Sequence, residues 1–134
     1  MKELTLMASD KTFYTVLNEV RDALKENGWP EDIETQIAIA VEEIYVNIAH
    51  YAYGGKEGEA KVRIDITPKN CRISFADQGI PYNPLEKEDP DLTLSAEDRP
   101  IGGLGIFMVK EMMDRVTYEH KDGKNILTIE KTIE

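Results

Sequence analysis

Two neighbouring segments alternate between apolar and polar residues, and this alternation constrains the fold more than any other feature of the chain. It runs through residues 61–67 and again through residues 71–77, with Pro68-Lys69-Asn70 as a turn between them. The apolar positions are Val62, Ile64, Ile66, Cys71, Ile73 and Phe75. Because successive side chains of a strand point to opposite faces, the pattern predicts a hairpin with one apolar face. That face must be covered by another layer of secondary structure.

Two helical patterns precede the hairpin and can supply that layer. The first helix has its N-cap at Ser9 or Asp10 and ends at Gly28. Its apolar positions are Phe13, Val16, Leu17, Val20 and Leu24. The second helix is predicted from about Glu31 toward Tyr53. Its apolar stripe consists of Ile37, Val41, Ile44, Tyr45, Ile48 and Ala52.

The remaining segments complete an α+β pattern. Residues 78–102 hold four prolines and show little periodicity, which indicates a functional lid rather than a plain connection. A third helix begins near Leu104, and a second hairpin follows it at residues 115–133. With a short first strand at residues 3–7, this order predicts one domain over residues 1–134, a two-layer α/β sandwich. The sequence contains neither a P-loop motif nor a Rossmann fingerprint.

The charge balance and the cysteine count exclude several classes of protein. The chain has 16 Lys and Arg residues against 26 Asp and Glu residues, and this net charge of −10 argues against a nucleic-acid binder. The same charge suits contact with a basic patch on a partner protein. Cys71 is the only cysteine, so an internal disulfide and a cysteine metal cluster are both excluded. With no apolar leader and no run of membrane-spanning length, we expect a cytoplasmic protein without membrane contact.

An acid and an amide lie beside the apolar stripe of the second helix. Glu43 and Asn47 are four residues apart, which places them one turn apart on the same helix face. The amide oxygen of Asn47 is a hard ligand that suits Mg²⁺ carried in on a nucleotide. The Glu43 carboxylate could take a proton from an attacking hydroxyl or water. The alternative is that the pair belongs to an ordinary solvated helix face.

Asp77 closes the apolar face of the first hairpin, and Gly79 follows it closely. A carboxylate at the end of a buried face needs a partner, and an adenine amine could donate a hydrogen bond to it. Gly79 would let the backbone approach the base closely. The alternative is a turn in which Asp and Gly hold their usual places.

A glycine-rich segment opens the third helix and consists of Gly102, Gly103, Leu104, Gly105 and Ile106. Glycines are poor helix formers, but they expose backbone N–H groups at a helix N-terminus, where the dipole favours anions. The segment therefore predicts a phosphate-binding loop, with a flexible hinge for the lid as the alternative. Arg99 could reach a γ-phosphate or could be a solvated charge among neighbouring acids.

In this order and spacing, the three segments resemble the nucleotide-binding boxes of the GHKL ATPase superfamily. The resemblance covers essentially the whole chain and is nearest to the anti-sigma-factor serine kinases of the RsbW and SpoIIAB type. The N box corresponds to residues 43–47, the G1 box to residues 77–84 and the G2 box to residues 102–106. The resemblance implies the Bergerat form of the α+β sandwich, with a mixed, mostly antiparallel sheet, three helices on one face and an ATP lid.

The resemblance also implies a role for each site residue. Asn47 would hold Mg²⁺ against the ATP phosphates, and Glu43 would be the general base toward a serine hydroxyl. Asp77 would bind the adenine amine, Gly79 would line the base pocket, and Thr128 would reach the adenine through water. The remaining nucleotide contacts would come from Arg99, Gly102, Gly103, Leu104, Gly105 and Ile106.

The implied activity is that of a serine-protein kinase and anti-sigma factor, which uses Mg·ATP to phosphorylate an antagonist of the STAS type. Its partners would be that anti-anti-sigma protein and a sigma factor, and relatives suggest a homodimer. An ATP-gated interaction module without phosphotransfer and a stand-alone ATPase are the alternatives. Two positions depart from the family pattern. Tyr51 stands where members often have histidine, with His50 displaced by one, and Arg99 lies further from the glycines than the corresponding arginine in some members.

Overall fold

The computed structural model describes residues 1–86 and 104–134 of the chain. The helices and strands are β1 (Lys2–Met7), α1 (Asp10–Glu26), α2 (Glu31–Asn47), β2 (Glu59–Ile66), β3 (Asn70–Asp77), α3 (Leu104–Met112), β4 (Arg115–Lys121) and β5 (Lys124–Thr132). A π-helical turn, Ile48–Ala52, continues α2, and a short 3₁₀ turn, Pro84–Glu86, comes after β3. In these two stretches, no helix is both long enough and apolar enough to cross a membrane.

The five described strands form one sheet in the order β1-β2-β3-β5-β4, and each neighbouring pair is antiparallel. The hairpin predicted from the alternation is confirmed as β2 and β3. Strand β5 lies between β3 and β4, so that Asn125 is opposite Asp77 and Thr128 is opposite Ser74. The predicted α+β sandwich is therefore confirmed, and the register of β5 decides which of its side chains can reach Asp77.

The two faces of the sheet differ as the alternation requires. The face under the helices is buried, and its central residues are Val62, Ile64, Ile73, Phe75, Leu127 and Ile129. Each fully buried side chain of this kind stabilises the fold by about 1.5–3 kcal/mol relative to an exposed one. The other face carries exposed ion pairs between strands, including Arg63 Nε with Glu3 Oε2 at 3.0 Å. Such exposed pairs contribute little to stability, so the helix-covered face determines the fold.

The first helix begins with the predicted cap. Ser9 Oγ accepts a hydrogen bond from the Thr12 backbone at 3.1 Å, and Thr12 Oγ1 accepts one from the Ser9 backbone at 3.0 Å. This reciprocal pair satisfies two N–H groups that a helix start leaves unpaired. The Thr12 hydroxyl also lies 2.7 Å from the Tyr45 hydroxyl, which joins the start of α1 to the middle of α2. Burial raises the pKa of Tyr45, so its hydroxyl stays protonated in this contact.

The second helix ends differently from the prediction. The α-helix stops at Asn47, and residues 48–52 form the π-helical turn instead of continuing the α-helix toward Tyr53. The last carbonyls of a helix need donors from outside it, and the Ala52 carbonyl accepts a hydrogen bond from the Ile80 backbone at 2.9 Å. On the same turn, the exposed His50 Nε2 lies 2.8 Å from Asp10 Oδ1 at the start of α1. The turn is therefore tied both to α1 and to the loop after β3.

Cys71 is buried in β3, and burial raises the pKa of its thiol to about 12. Because only the thiolate reacts, we expect the native protein to resist a thiol-disulfide reagent such as Ellman's reagent at pH 8. The protein unfolded in urea should react completely under the same conditions, and absorbance of the released chromophore measures both rates. Equal rates in the native and unfolded protein would contradict the buried placement of this thiol.

Candidate functional site

The predicted acid and amide lie at the edge of the buried stripe of α2. Ile44 and Tyr45 are fully inside the core, whereas Glu43 is half-buried and Asn47 is exposed. Asn47 is the last α-helical residue, one turn beyond Glu43. Both side chains are therefore available to a ligand on the rim of the helical layer, which a core position would not allow.

The Glu43 carboxylate contacts the start of α3. A Cβ atom at Gly105 would lie 2.1 Å from Glu43 Oε2 and 2.8 Å from Glu43 Cδ, so only glycine leaves room for this carboxylate. Gly105 is the second residue of α3. Backbone N–H groups and the helix dipole favour a negative charge at that end of a helix. The fold thus brings the predicted base and the predicted phosphate-binding segment into direct contact.

Asp77 is buried at the end of β3 and is held by neighbouring donors. Its Oδ1 accepts a hydrogen bond from the Gly79 backbone at 2.9 Å and one from Asn125 Nδ2 at 2.9 Å. The side chain is only 7% exposed. A carboxylate so far removed from water requires such partners, and they fix its direction.

A contact with the main chain of Ala52 requires glycine at position 79. A Cβ atom at this position would lie 2.1 Å from the Ala52 carbonyl oxygen and 2.6 Å from its carbon. The next residue, Ile80, donates its backbone hydrogen bond to the same carbonyl. The sequence predicts that Gly79 admits a base, and this stays a prediction; the contact observed is with the π-helical turn. Gly79 therefore lets the loop after β3 pack against the π-helical turn that follows α2.

These contacts form one continuous run along α2. Gly105 touches Glu43, Asn47 lies one turn further on, and the turn after it reaches Gly79 through Ala52. Asp77 joins the run through its hydrogen bond with the Gly79 backbone. Residues far apart in sequence are thus arranged with the helix start at one end and the buried acid at the other.

One predicted site residue, Thr128, does not lie beside this run of contacts. Thr128 is opposite Ser74, and their hydroxyls are 3.0 Å apart. Cross-strand partners share a face, and Ser74 is an odd number of residues from Asp77, so Thr128 lies on the other face of the sheet. The predicted contact of Thr128 with adenine is corrected by this register.

Arg99, Gly102 and Gly103 lie outside the described residues, so their predicted nucleotide contacts stay predictions. Leu104 is the first residue of α3, and Ile106 is half-buried against the core. In the described part of the predicted glycine segment, Gly105 contacts Glu43.

Sequence reasoning missed three polar residues around Asp77. Asn125 is buried opposite it, and the Tyr118 hydroxyl donates a hydrogen bond to Asn125 Oδ1. The Tyr53 hydroxyl accepts from the Gln78 backbone at 2.8 Å, and burial raises the pKa of Tyr53. An asparagine soon after a turn gives no indication of burial by itself. Only the pairing of β5 with β3 would have identified Asn125.

The metal-coordinating groups in the described part of the site fit a cation that is already bound to phosphates. Among the described side chains, no group of three or more His, Cys, Asp or Glu residues is placed to hold a metal ion. Asn47 offers one hard amide oxygen at an exposed position. One such oxygen suits Mg²⁺ already coordinated by phosphates, because Mg²⁺ takes few protein ligands at nucleotide sites.

Comparison with known proteins gives a consistent set of similarities. A family model described as histidine kinase-like ATPase domain matches residues 6–131. The serine/threonine-protein kinase BtrW of Bordetella bronchiseptica is 26% identical over 102 residues, which cover 75% of this chain and 72% of BtrW. The serine-protein kinase RsbW of Bacillus anthracis is 30% identical over 101 residues, covering 72% of this chain and 62% of RsbW. The match thus spans less than two thirds of RsbW.

A solved structure is similar in fold. The crystal structure of the RsbU and RsbW domains of a Mycobacterium tuberculosis protein superposes with a TM-score of 0.62 and 18% sequence identity. The superposition covers 98% of this chain and 32% of that protein. At this level of identity, the likeness supports the two-layer architecture alone.

Proposed function

This chain belongs to the histidine kinase-like ATPase domain family, and from that premise we propose that it binds Mg·ATP and phosphorylates a serine of a partner protein. The contact between Glu43 and Gly105 carries the proposal. It holds a carboxylate at the helix end where a triphosphate would bind, within one turn of Asn47. An acid in that position can receive a proton from a hydroxyl that attacks the phosphate.

The two ends of this run of contacts would bind the two ends of ATP. Asp77 is a fixed acceptor that an adenine amine can satisfy, and α3 begins with backbone N–H groups suited to phosphate. Asn47 lies between them on the exposed rim of α2. When bound, Mg²⁺ neutralises charge on the phosphate oxygens and aligns them for transfer. Among the described residues, Asn47 would supply an amide oxygen toward that ion.

The proposed reaction is an in-line displacement. The serine oxygen forms a bond to the γ-phosphorus as the bond between that phosphorus and the β–γ bridging oxygen breaks, and ADP leaves. The serine proton passes to the Glu43 carboxylate, which returns it to solvent after the product departs. Phosphoserine and ADP are the products, so atoms and charges balance. Positioning of the two oxygens, more than acid-base strength, would provide most of the acceleration.

Serine is preferred over water as the acceptor because BtrW and RsbW are named as serine or serine/threonine kinases. By the same resemblance, the substrate would be an antagonist of the STAS type, and a sigma factor would be bound when that antagonist is unavailable. The net charge of −10 is suited to a partner that presents a basic patch. Asn47 and Glu43 lie on an accessible rim, as a protein substrate requires.

The test is incubation of the purified chain with γ-labelled ATP, Mg²⁺ and a STAS-domain protein encoded in the same genome. We expect label on one serine of that protein, none when the serine is replaced by alanine and none in excess EDTA. Release of inorganic phosphate without a phosphoprotein would instead identify an ATPase. ATP-dependent binding of the partner without transfer would identify a gated module, and absence of ATP binding would overturn the whole proposal.

A further inference from the structure

The Asn125 side chain connects the buried acid to the loop that follows it. Its Nδ2 lies 2.9 Å from Asp77 Oδ1, 3.1 Å from the Ile80 carbonyl and 3.4 Å from the Gly79 carbonyl. The side chain is only 7% exposed, so each of these polar contacts replaces one with water. A single amide thus meets a strand end and two consecutive loop carbonyls.

The opposite end of the same amide faces donors. Asn125 Oδ1 accepts from the Tyr82 backbone at 3.3 Å and from the Tyr118 hydroxyl on β4. Turning the amide over would bring its oxygen against the Asp77 carboxylate and its NH₂ against the Tyr82 N–H. Both arrangements are repulsive, so the surroundings permit one orientation. Tyr118 therefore helps to keep Nδ2 directed at Asp77.

The consequence falls on the Asp77 carboxylate. Oδ1 receives two hydrogen bonds, from the Gly79 backbone and from Asn125, whereas no donor within residues 1–86 and 104–134 reaches Oδ2. The carboxylate is therefore held in one orientation. Its Oδ1 is hydrogen-bonded within the protein, and its Oδ2 can accept a hydrogen bond from a ligand. A ligand that donates a hydrogen bond fits this oxygen, and a ligand that presents another acceptor is repelled by it.

We propose that Asn125 is a positioning residue that makes Asp77 select a purine with a 6-amino group over one with a 6-oxo group. The inference rests on the proposed binding of ATP. Adenine donates from its 6-amino group, whereas guanine presents a carbonyl oxygen at the same place. With Asn125 absent, the carboxylate can rotate and take a water molecule, and its single fixed acceptor direction is lost.

The test compares Mg·ATP and Mg·GTP affinities, measured by titration calorimetry, for the native chain and for Asn125→Ala. We expect the native chain to prefer ATP and the ratio of the two affinities to fall about tenfold in the variant, mainly through weaker ATP binding. Ser74→Ala is the matched control, because it removes a hydroxyl contact on the opposite face of β3. The control should keep the native ratio.

The ratio separates positioning from a general loss of order. If Asn125→Ala weakens ATP and GTP by the same factor, Asn125 supports the fold only, and the inference is overturned. Equal native affinities for the two nucleotides would overturn it as well. If the alanine variant does not fold, Tyr118→Phe decides the matter, since it removes only the hydroxyl that orients the amide. A reduced ratio in that variant supports the inference, and the native ratio overturns it.

Failure of the inference can be distinguished from failure of the proposed function. A native chain that binds neither nucleotide contradicts the proposed ATP site itself. A native chain that binds ATP selectively, while both variants keep the native ratio, contradicts only the role of Asn125.

Discussion

Glu43→Gln is expected to lower the rate of phosphoryl transfer to serine by about 10²–10⁴-fold and to leave ATP affinity nearly unchanged. Glutamine keeps the length of the side chain, so it can still lie against Gly105, where a Cβ atom would be 2.1 Å from the carboxylate. It cannot, however, accept the serine proton. Initial rates of phosphoserine formation and a separate ATP titration measure the two effects independently.

Glu42→Gln is the matched control for this prediction. Glu42 is adjacent on α2 and loses the same charge, but its side chain is exposed and has no described contact with α3. The control should transfer at the native rate. A native rate in Glu43→Gln would show that another group takes the proton. Loss of ATP binding together with transfer would place Glu43 in nucleotide binding instead.

Adding one methyl group is expected to reduce mainly the stability at Gly79 and mainly the transfer rate at Gly105. At position 79 the new atom would meet main-chain atoms of Ala52 at 2.1 and 2.6 Å, which can separate only if the backbone shifts. We expect Gly79→Ala to lower the free energy of unfolding by about 1–3 kcal/mol.

At position 105 the new atom would meet the end of the flexible Glu43 side chain, which can rotate away. Gly105→Ala should therefore keep most of its stability but lower the transfer rate by about 10²-fold.

Urea unfolding followed by circular dichroism, together with phosphoserine formation rates, distinguishes the two variants. Each serves as the control for the other, because both replace glycine by alanine within the same run of contacts. Equal losses of stability would contradict the difference between a rigid backbone neighbour and a movable side chain. A native transfer rate in Gly105→Ala would show that the position of the Glu43 carboxylate does not limit the reaction.

Local periodicity predicted the part of the site that lies on one helix. The spacing of Glu43 and Asn47 fixes their common face once the helix is assumed, and the alternation ending at Asp77 predicts that this carboxylate is buried. The resemblance to the GHKL superfamily, drawn from three short segments, is confirmed by the family match over residues 6–131. The first two inferences depend on neighbours in sequence, and the third depends also on the order and spacing of the three segments.

What could not be predicted depends on pairing between distant segments. Asn125 and Asp77 are 48 residues apart, and a shift of one residue between β3 and β5 would move Asn125 to the other face. The same register places Thr128 beside Ser74 and away from the predicted adenine contact. The contact of Gly79 with Ala52 likewise requires knowledge of how the π-helical turn meets the loop. The pattern within any single strand or helix does not predict these contacts.

The hydrogen bond between Ile80 and Ala52 is made entirely of main-chain atoms, 2.9 Å apart. Every amino acid at position 52 supplies the acceptor, and every one except proline at position 80 supplies the donor. Proline at position 80 apart, exchange of side chains at either end therefore leaves in place both hydrogen-bonding groups that join the loop after β3 to the π-helical turn. In the proposed site, the distance between the loop that follows Asp77 and the helix that carries Glu43 and Asn47 is therefore set by the path of the backbone.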